Sequence, residues 1–321
     1  MDVTIARRPL GRTGTDVSAL GFGAMELRGM PSGPVLPDPE AGRLLNAVLD
    51  GGINLVDTSI DYGRSEELIG RYLAHRRDEY FLASKCGCPA PQLWLKLRPR
   101  PTLHRSHDYR PLNIRAGVEQ SLRRLRTDRL DLVQVHHSPS RARLEADHTV
   151  ETLEALRDQG KVRFIGMSGT LPNLPEHIAM GVFDVFQIPY SAVQREHEDL
   201  IATAAQAGAG TLIRGGMARG GPADNWRSEP LGMPAGEGPR RWHAAGLAEL
   251  LGGMSGAEFT LRFTLGHPGI STVIVGTSQL DHLRANVASA AKGPLPADMY
   301  AEACRRLEAP GRTEPAGEFD T

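Results

Sequence analysis

Three apolar runs in this chain end in residues able to move a proton. Ile53-Asn-Leu-Val-Asp57 closes on a carboxylate, Tyr80-Phe-Leu-Ala-Ser-Lys85 on an amine, and Leu130-Asp-Leu-Val-Gln-Val-His136 on an imidazole. Tyr62 follows in Asp57-Thr-Ser-Ile-Asp-Tyr-Gly63. An ammonium buried beside a carboxylate is a tolerable ion pair, although desolvation makes it a poor stabiliser. A phenol near that ammonium is expected to have its pKa lowered, because the phenolate gains a partner. Such a Tyr, brought below its usual value of about 10, donates and accepts protons near neutrality. An imidazole beside it would hydrogen-bond a carbonyl or alkoxide oxygen. This is apparatus for protonating a carbonyl oxygen. It supplies no electrons, so a redox reaction built on it needs a cofactor.

Taken singly, each residue has a plainer reading. Asp57 suits a helix N-cap, Lys85 a snorkelling surface position, and Tyr62 or His136 ordinary packing. The register of the set argues otherwise. Lys occurs only at Lys85, Lys96, Lys161 and Lys292, so an amine closing an apolar run is unusual in this chain. Side chains alternate along a strand, so His136 and His137 face differently.

The elements that must position these residues repeat. Short apolar runs fall at Ala19–Met25, Ile53–Thr58, Tyr80–Cys86, Leu130–His136, Phe164–Ser168, Val185–Tyr190, Thr211–Arg214 and Thr272–Thr277. Helical spacing fills Glu40–Asp50, Ser65–Ala74, Asn113–Leu125, His148–Gln159, Glu198–Ala207, Ala257–Leu265 and Gln279–Ala290. Continuous apolar strands suit a parallel sheet buried on both faces. Eight such strands alternating with helices predict an α/β protein, a (β/α)8 TIM barrel. A doubly wound open sheet is the rival, and it needs G-x-G-x-x-G opening a helix after the first strand. Gly21-Phe-Gly23 lacks the third Gly, and Pro31, Pro34, Pro37 and Pro39 follow where that helix should begin. Arg8-Pro-Leu-Gly-Arg-Thr-Gly14 reads as an N-terminal β-hairpin placed to plug the barrel bottom. Long loops, Gly87–Pro111 and Gly215–Gly238, follow the third and seventh strands, on the face where barrel enzymes build their sites. Residues 1–309 are expected to form the single barrel and 310–321 a disordered C-terminal tail.

Composition closes off other classes. The 321 residues carry 37 Lys plus Arg and 38 Asp plus Glu, a net charge of −1, which argues against nucleic acid or an anionic membrane as partner. No apolar run approaches a membrane span, and Met1–Gly14 has no secretory h-region. Three cysteines, Cys86, Cys88 and Cys304, make no disulfide framework, so a cytoplasmic setting is expected. Cys86-Gly-Cys88 is one C-x-C with no second Cys pair or His at zinc spacing, so no metal is expected. His104 and His107, in a Pro-rich loop, read as solvated.

The motif set resembles the aldo-keto reductase superfamily. The resemblance is carried by Leu20-Gly-Phe-Gly-Ala24, Gly52-Ile-Asn-Leu-Val-Asp-Thr-Ser-Ile-Asp-Tyr-Gly63, Ser65-Glu-Glu-Leu-Ile-Gly70, Ser84-Lys85, Ser121-Leu-Arg-Arg-Leu125 and Asp131-Leu-Val-Gln-Val-His136. It continues in Gly160-Lys-Val-Arg-Phe-Ile-Gly-Met-Ser168, Gln187 and Val275-Gly-Thr-Ser-Gln-Leu-Asp-His-Leu-Arg-Ala-Asn286, and so spans Leu10 to Asn286. It implies an NADPH-dependent reductase of an aldehyde or ketone, with NADH as the other possible donor. It implies Tyr62 as general acid, Lys85 to lower its pKa, Asp57 to pair with Lys85, and His136 to orient the carbonyl. Ser168, Gly169 and Gln187 would meet the nicotinamide end, with Asp57 beside it, and Gly23, Ala24 and Met25 the loop after the first strand. Gly276, Thr277, His282 and Asn286 would hold the adenosine half. Arg214, followed by Gly215, stands where relatives often place an aromatic against the nicotinamide, and Gly169 where they often have Asn. Arg284 and Thr277 are the groups left to reach a 2′-phosphate. Met25, Trp94 and His137 are expected to line the substrate pocket. The alternative function is an NADP(H)-binding barrel that acts as a sensor or accessory subunit. A cofactor-free barrel isomerase is a third reading.

Overall fold

The computed structural model describes residues 4–29, 36–90, 107–218 and 233–308. Strands β1 (Arg7–Pro9) and β2 (Asp16–Ser18) pair antiparallel as the N-terminal hairpin. Each of the eight apolar runs then forms a strand: β3 (Leu20–Gly23), β4 (Leu55–Asp57), β5 (Phe81–Cys86), β6 (Leu130–Val135), β7 (Val162–Ser168), β8 (Val185–Pro189), β9 (Gly210–Arg214) and β10 (Thr272–Val275). They pair parallel in chain order and β10 closes on β3, which makes a closed (β/α)8 barrel.

Each of the seven expected helices is present within a few residues of its expected ends, from Asp38–Asp50 to Leu280–Ala291. The first begins at Asp38 with Pro39 inside its first turn, although the prolines here read as helix-free. A first-turn residue has no intrahelical use for its N–H, so Pro is tolerated there. Helices at Arg141–Ala146, Leu174–Ala179, Glu237–Ala244 and Ala297–Glu308 were not legible as periodic runs. The first two span six residues each, too short for a helical stripe to register. Residues 91–106 and 219–232, most of the two long loops, and 309–321 of the expected tail lie outside the described residues.

The barrel interior has two layers, set by the period of two along each strand. In the lower layer Leu55, Phe81, Ala83, Leu132, Val185, Leu212 and Ile274 pack together, with Phe164 against them. Leu10 and Val17 of the hairpin, both fully buried, join this cluster and stopper the barrel. Two positions further along the same strands stand the polar residues: Asp57 above Leu55, Lys85 above Ala83, Gln134 above Leu132, Gln187 above Val185 and Arg214 above Leu212. Gly166 makes room between layers. A Cβ there would sit 2.7 Å from the Val185 carbonyl oxygen and crowd the side chains of Leu132 and Gln134. Among the described residues no helix is long and apolar enough to cross a membrane.

The hairpin plug is testable. Leu10→Ala opens a cavity beneath Leu55 and Leu212 and is expected to lower stability by about 2–5 kcal/mol. The reading is a lower urea midpoint at unchanged m-value.

Candidate active site

The polar layer is organised around one carboxylate. Asp57 Oδ1 accepts from Lys85 Nζ at 2.6 Å, and its Oδ2 accepts from Gln134 Nε2 at 2.9 Å and Gln187 Nε2 at 3.0 Å. Lys85 Nζ also donates to the Thr58 carbonyl at 2.8 Å. The Lys85 and Asp57 side chains are 1% and 3% exposed. Burial alone would push the Lys85 ammonium toward neutrality, but Asp57 and Tyr62 outweigh it and raise its pKa. Lys85 is therefore a fixed positive charge inside an apolar barrel.

Tyr62 sits on the loop after β4, with Lys85 Nζ 4.8 Å from its ring centroid. The loop is tied by Tyr62 N–H to the Ser59 carbonyl at 3.0 Å, Ser65 N–H to the Tyr62 carbonyl at 2.8 Å, and Arg124 Nη1 to the Ile60 carbonyl at 3.0 Å. Gly63 carries φ +47°, and a Cβ there would lie 2.1 Å from the Arg28 carbonyl oxygen. Only Gly meets both demands, so the turn behind Tyr62 is fixed by packing. The expected lowering of the Tyr62 pKa is overturned. Burial raises it, Lys85 pulls it down by less, and the charges of Asp57 and Asp61 add to the rise. The phenol thus keeps its proton at neutral pH.

His136 continues the ladder past β6, its N–H bonded to the Cys86 carbonyl at 2.9 Å. Its ring meets Tyr62 edge-on, with centroids 6.3 Å apart. Its Nδ1 lies 2.9 Å from Cys88 Sγ. Burial, then the charge of Lys85, holds this imidazole well below its ordinary pKa, so it is neutral. His137, at φ +60°, is exposed at the rim, its ring centroid 4.5 Å from that of His136. His107 is not the solvated residue expected. Its ring packs 4.0 Å from that of His137 and stacks on Tyr109 at 6.1 Å, centroid to centroid. Burial lowers its pKa to about 4. Cys86 is a protonated thiol, pushed up to about 12 by burial, and Cys88 is raised further still. Neither is an activated nucleophile.

The residues expected to meet a cofactor lie around the same rim. Ser168 Oγ donates to Gln187 Oε1 at 3.3 Å, so Gln187 links Asp57 to Ser168. At Gly169 a Cβ would come within 2.8 Å of Leu174 Cδ1, so a larger side chain there requires the end of Leu174 to shift. Arg214 ends β9 partly exposed, with its Nε buried and unpartnered among the described residues. Burial lowers its pKa, against the pull of Tyr62 and Asp57. Gly215 follows it. Gly23 and Gly276 face one another across β3 and β10, where a Cβ on Gly276 would stand 2.7 Å from the Gly23 carbonyl oxygen. Ala24 and Met25 open the short helical turn after β3, Ala24 buried and Met25 half-buried. Thr277 is buried, and its Oγ1 accepts from Gln279 N–H at 3.0 Å. His282 and Arg284 are exposed on the following helix, Arg284 paired with Asp281 at 3.1 Å, and Asn286 is half-buried. Trp94 lies outside the described residues.

The reading from sequence left Gln134, Cys88 and His107 without a role beside His136. Gln134 had a signal, since it precedes His136 by two and must share its inward face. Cys88 and His107 had none, because only the fold brings them together.

The chain matches the model of the aldo/keto reductase family over residues 19–306 and belongs to that family, which makes it an oxidoreductase. Among its relatives, an oxidoreductase of Bacillus subtilis named YqkF is 26% identical over 88% of this chain and 90% of its own. The L-galactose dehydrogenase of Arabidopsis thaliana is 28% identical over 89% of this chain and 88% of its own. The holo form of the aldo-keto reductase AKR11C1 from Bacillus halodurans superposes with a TM-score of 0.80 at 28% identity, over 98% of this chain and 99% of its own.

Two predictions follow from the charges. Asp57→Ala leaves the Lys85 ammonium buried without its carboxylate and is expected to cost about 3–5 kcal/mol in urea unfolding. The double variant Asp57→Leu, Lys85→Met should recover a large part of that loss, because no orphan charge remains. The second concerns His197, whose Nε2 accepts from Leu171 N–H at 3.1 Å and whose pKa burial lowers to about 4. Unfolded, it titrates near 6.5. Its contribution is present above about pH 6.5 and is lost as pH falls toward about 4, since the unfolded chain takes a proton that the folded chain refuses. His197→Gln should flatten, without abolishing, the fall in urea midpoint between those pH values.

Proposed function

We propose that this protein reduces an aldehyde or ketone to the alcohol with NADPH, Tyr62 acting as general acid. The supporting observation is the convergence of Asp57, Tyr62, Lys85 and His136 at one barrel rim, with the ammonium 4.8 Å from the phenol ring. A nicotinamide bound there supplies the hydride. A phenol held protonated has its proton ready for the carbonyl oxygen. As negative charge grows on that oxygen, Lys85 stabilises the phenolate left behind. A neutral His136 with Nδ1 turned to Cys88 leaves Nε2 to hydrogen-bond the carbonyl. Run in reverse, the same groups serve alcohol oxidation, the direction named for the Arabidopsis relative.

The residues present suit the cofactor. The Nε of Arg214, buried and without a partner among the described residues, and the close approach of Gly23 to Gly276 leave a polar, backbone-lined edge on the rim. Ser168 and Gln187 would meet the carboxamide. The backbone of Gly276 and Thr277 and the start of Leu280–Ala291, which has no side-chain cap, would meet the phosphates. Thr277 has its hydroxyl committed to Gln279. Arg284 is therefore the group for a 2′-phosphate, since its exposed pair with Asp281 is worth little and easily given up. Met25 and His137 face the substrate. Function as a sensor or accessory subunit is the second reading, motivated by Arg214, whose cation would disfavour a ring that becomes cationic on oxidation.

Tyr62→Phe separates the readings. Carbonyl reduction should fall by about 10²–10⁴-fold, while NADPH affinity, read by fluorescence titration, stays within about twofold because the hydroxyl does not hold the cofactor. NADPH should bind more tightly than NADH. Binding with no hydride transfer in the unmodified protein supports the sensor, and binding of neither nucleotide removes the reductase reading.

A further inference from the structure

We propose that Cys88, His107 and His136 form a binding site for a divalent transition-metal ion of the zinc class. The thiol and one nitrogen of each imidazole lie within 4.8 Å of one another. Cys88 Sγ is 3.5 Å from Nε2 of His107 and 2.9 Å from Nδ1 of His136. Zinc bonds of about 2.3 Å to sulfur and about 2.0–2.1 Å to nitrogen, at tetrahedral angles, put those atoms about 3.6 Å apart. The first separation already fits, and the second opens by about 0.7 Å as the hydrogen bond gives way to the ion. One sulfur and two imidazoles are donors for zinc, cobalt or copper, whereas magnesium and calcium take oxygen.

The three ligands come from separate segments that the fold clamps together. Asn113 Nδ2 donates to the carbonyls of both Cys88, at 3.1 Å, and Asp108, at 2.7 Å, so one side chain joins the segments bearing Cys88 and His107. Its Oδ1 accepts from Ala90 N–H at 2.9 Å. Asp108 N–H bonds the Gly87 carbonyl at 2.8 Å, and Tyr109 Oη donates to the His136 carbonyl at 2.8 Å, which ties in the third segment. Ligands held this way lose little freedom on binding. Asp61 Oδ1 stands 3.9 Å from His136 Nδ1, beside the three donors. Binding is a substitution without redox change. The S–H bond breaks, a metal–sulfur bond forms, and the proton leaves to solvent.

The test uses the full chain without a histidine tag, stripped by chelator and titrated with Co²⁺. One equivalent should bind with a thiolate-to-cobalt charge-transfer absorption, and Zn²⁺ should bleach it. Cys88→Ala and His107→Ala should each abolish that absorption, and Cys86→Ala should keep it, with thermal melts showing that each variant folds. No stoichiometric absorption overturns the proposal, as does one that survives Cys88→Ala or disappears in a folded Cys86→Ala. Because the readout is a spectrum of the protein alone, failure here leaves the reductase reading standing, and loss of carbonyl turnover leaves the metal site standing.

Discussion

An ammonium held inside a closed barrel constrains everything near it. Lys85 is buried and stays charged chiefly because Asp57 lies 2.6 Å away. Asp57 in turn would be costly alone, and Gln134 from β6, two strands round, and Gln187 from β8, across the barrel, complete its coordination. Buried ion pairs of this kind stabilise weakly at best, because desolvation offsets the attraction. What this one provides is position. Four strands, β4, β5, β6 and β8, are locked in register by a single carboxylate, and the charge that faces Tyr62 is fixed by that lock.

The apolar layer below makes the polar layer tolerable. Leu55, Ala83, Leu132, Val185 and Leu212 fill the barrel under the site, and Leu10 and Val17 close its floor. These buried side chains stand between the charges and solvent beneath. At the rim the electrostatic state is consistent with proton donation: a charged Lys85, a protonated Tyr62 and a neutral His136. Arg214 adds a second cation at the same rim and helps keep His136 neutral. The thiol of Cys88 stands against that imidazole on its Nδ1 side.

Much of this was legible before folding was considered. The eight strands stood out because a parallel barrel strand is buried on both faces and reads as an unbroken apolar run. Asp57, Lys85 and His136 stood out because each breaks such a run at its end, where a barrel strand emerges at its catalytic face. The short helices Arg141–Ala146 and Leu174–Ala179 were missed, since six residues hold less than two turns of periodicity. Gln134 was missed although its parity with His136 marks it, because one amide inside an apolar strand suggests no chemistry of its own.

The sequence by itself determined the barrel, the family and the four residues at the rim, because these depend on residue type, strand parity and spacing within single segments. The tertiary structure alone decided the rest. Tyr62 is raised in pKa, contrary to expectation, because desolvation sums over neighbours from many segments while the pull of Lys85 is one pair. Cys88, His107 and His136 are neighbours because Asn113 and Tyr109 fold the end of a long insertion back onto β5 and β6. No spacing along the chain encodes that, since contact between distant segments is set by the packing of everything between them.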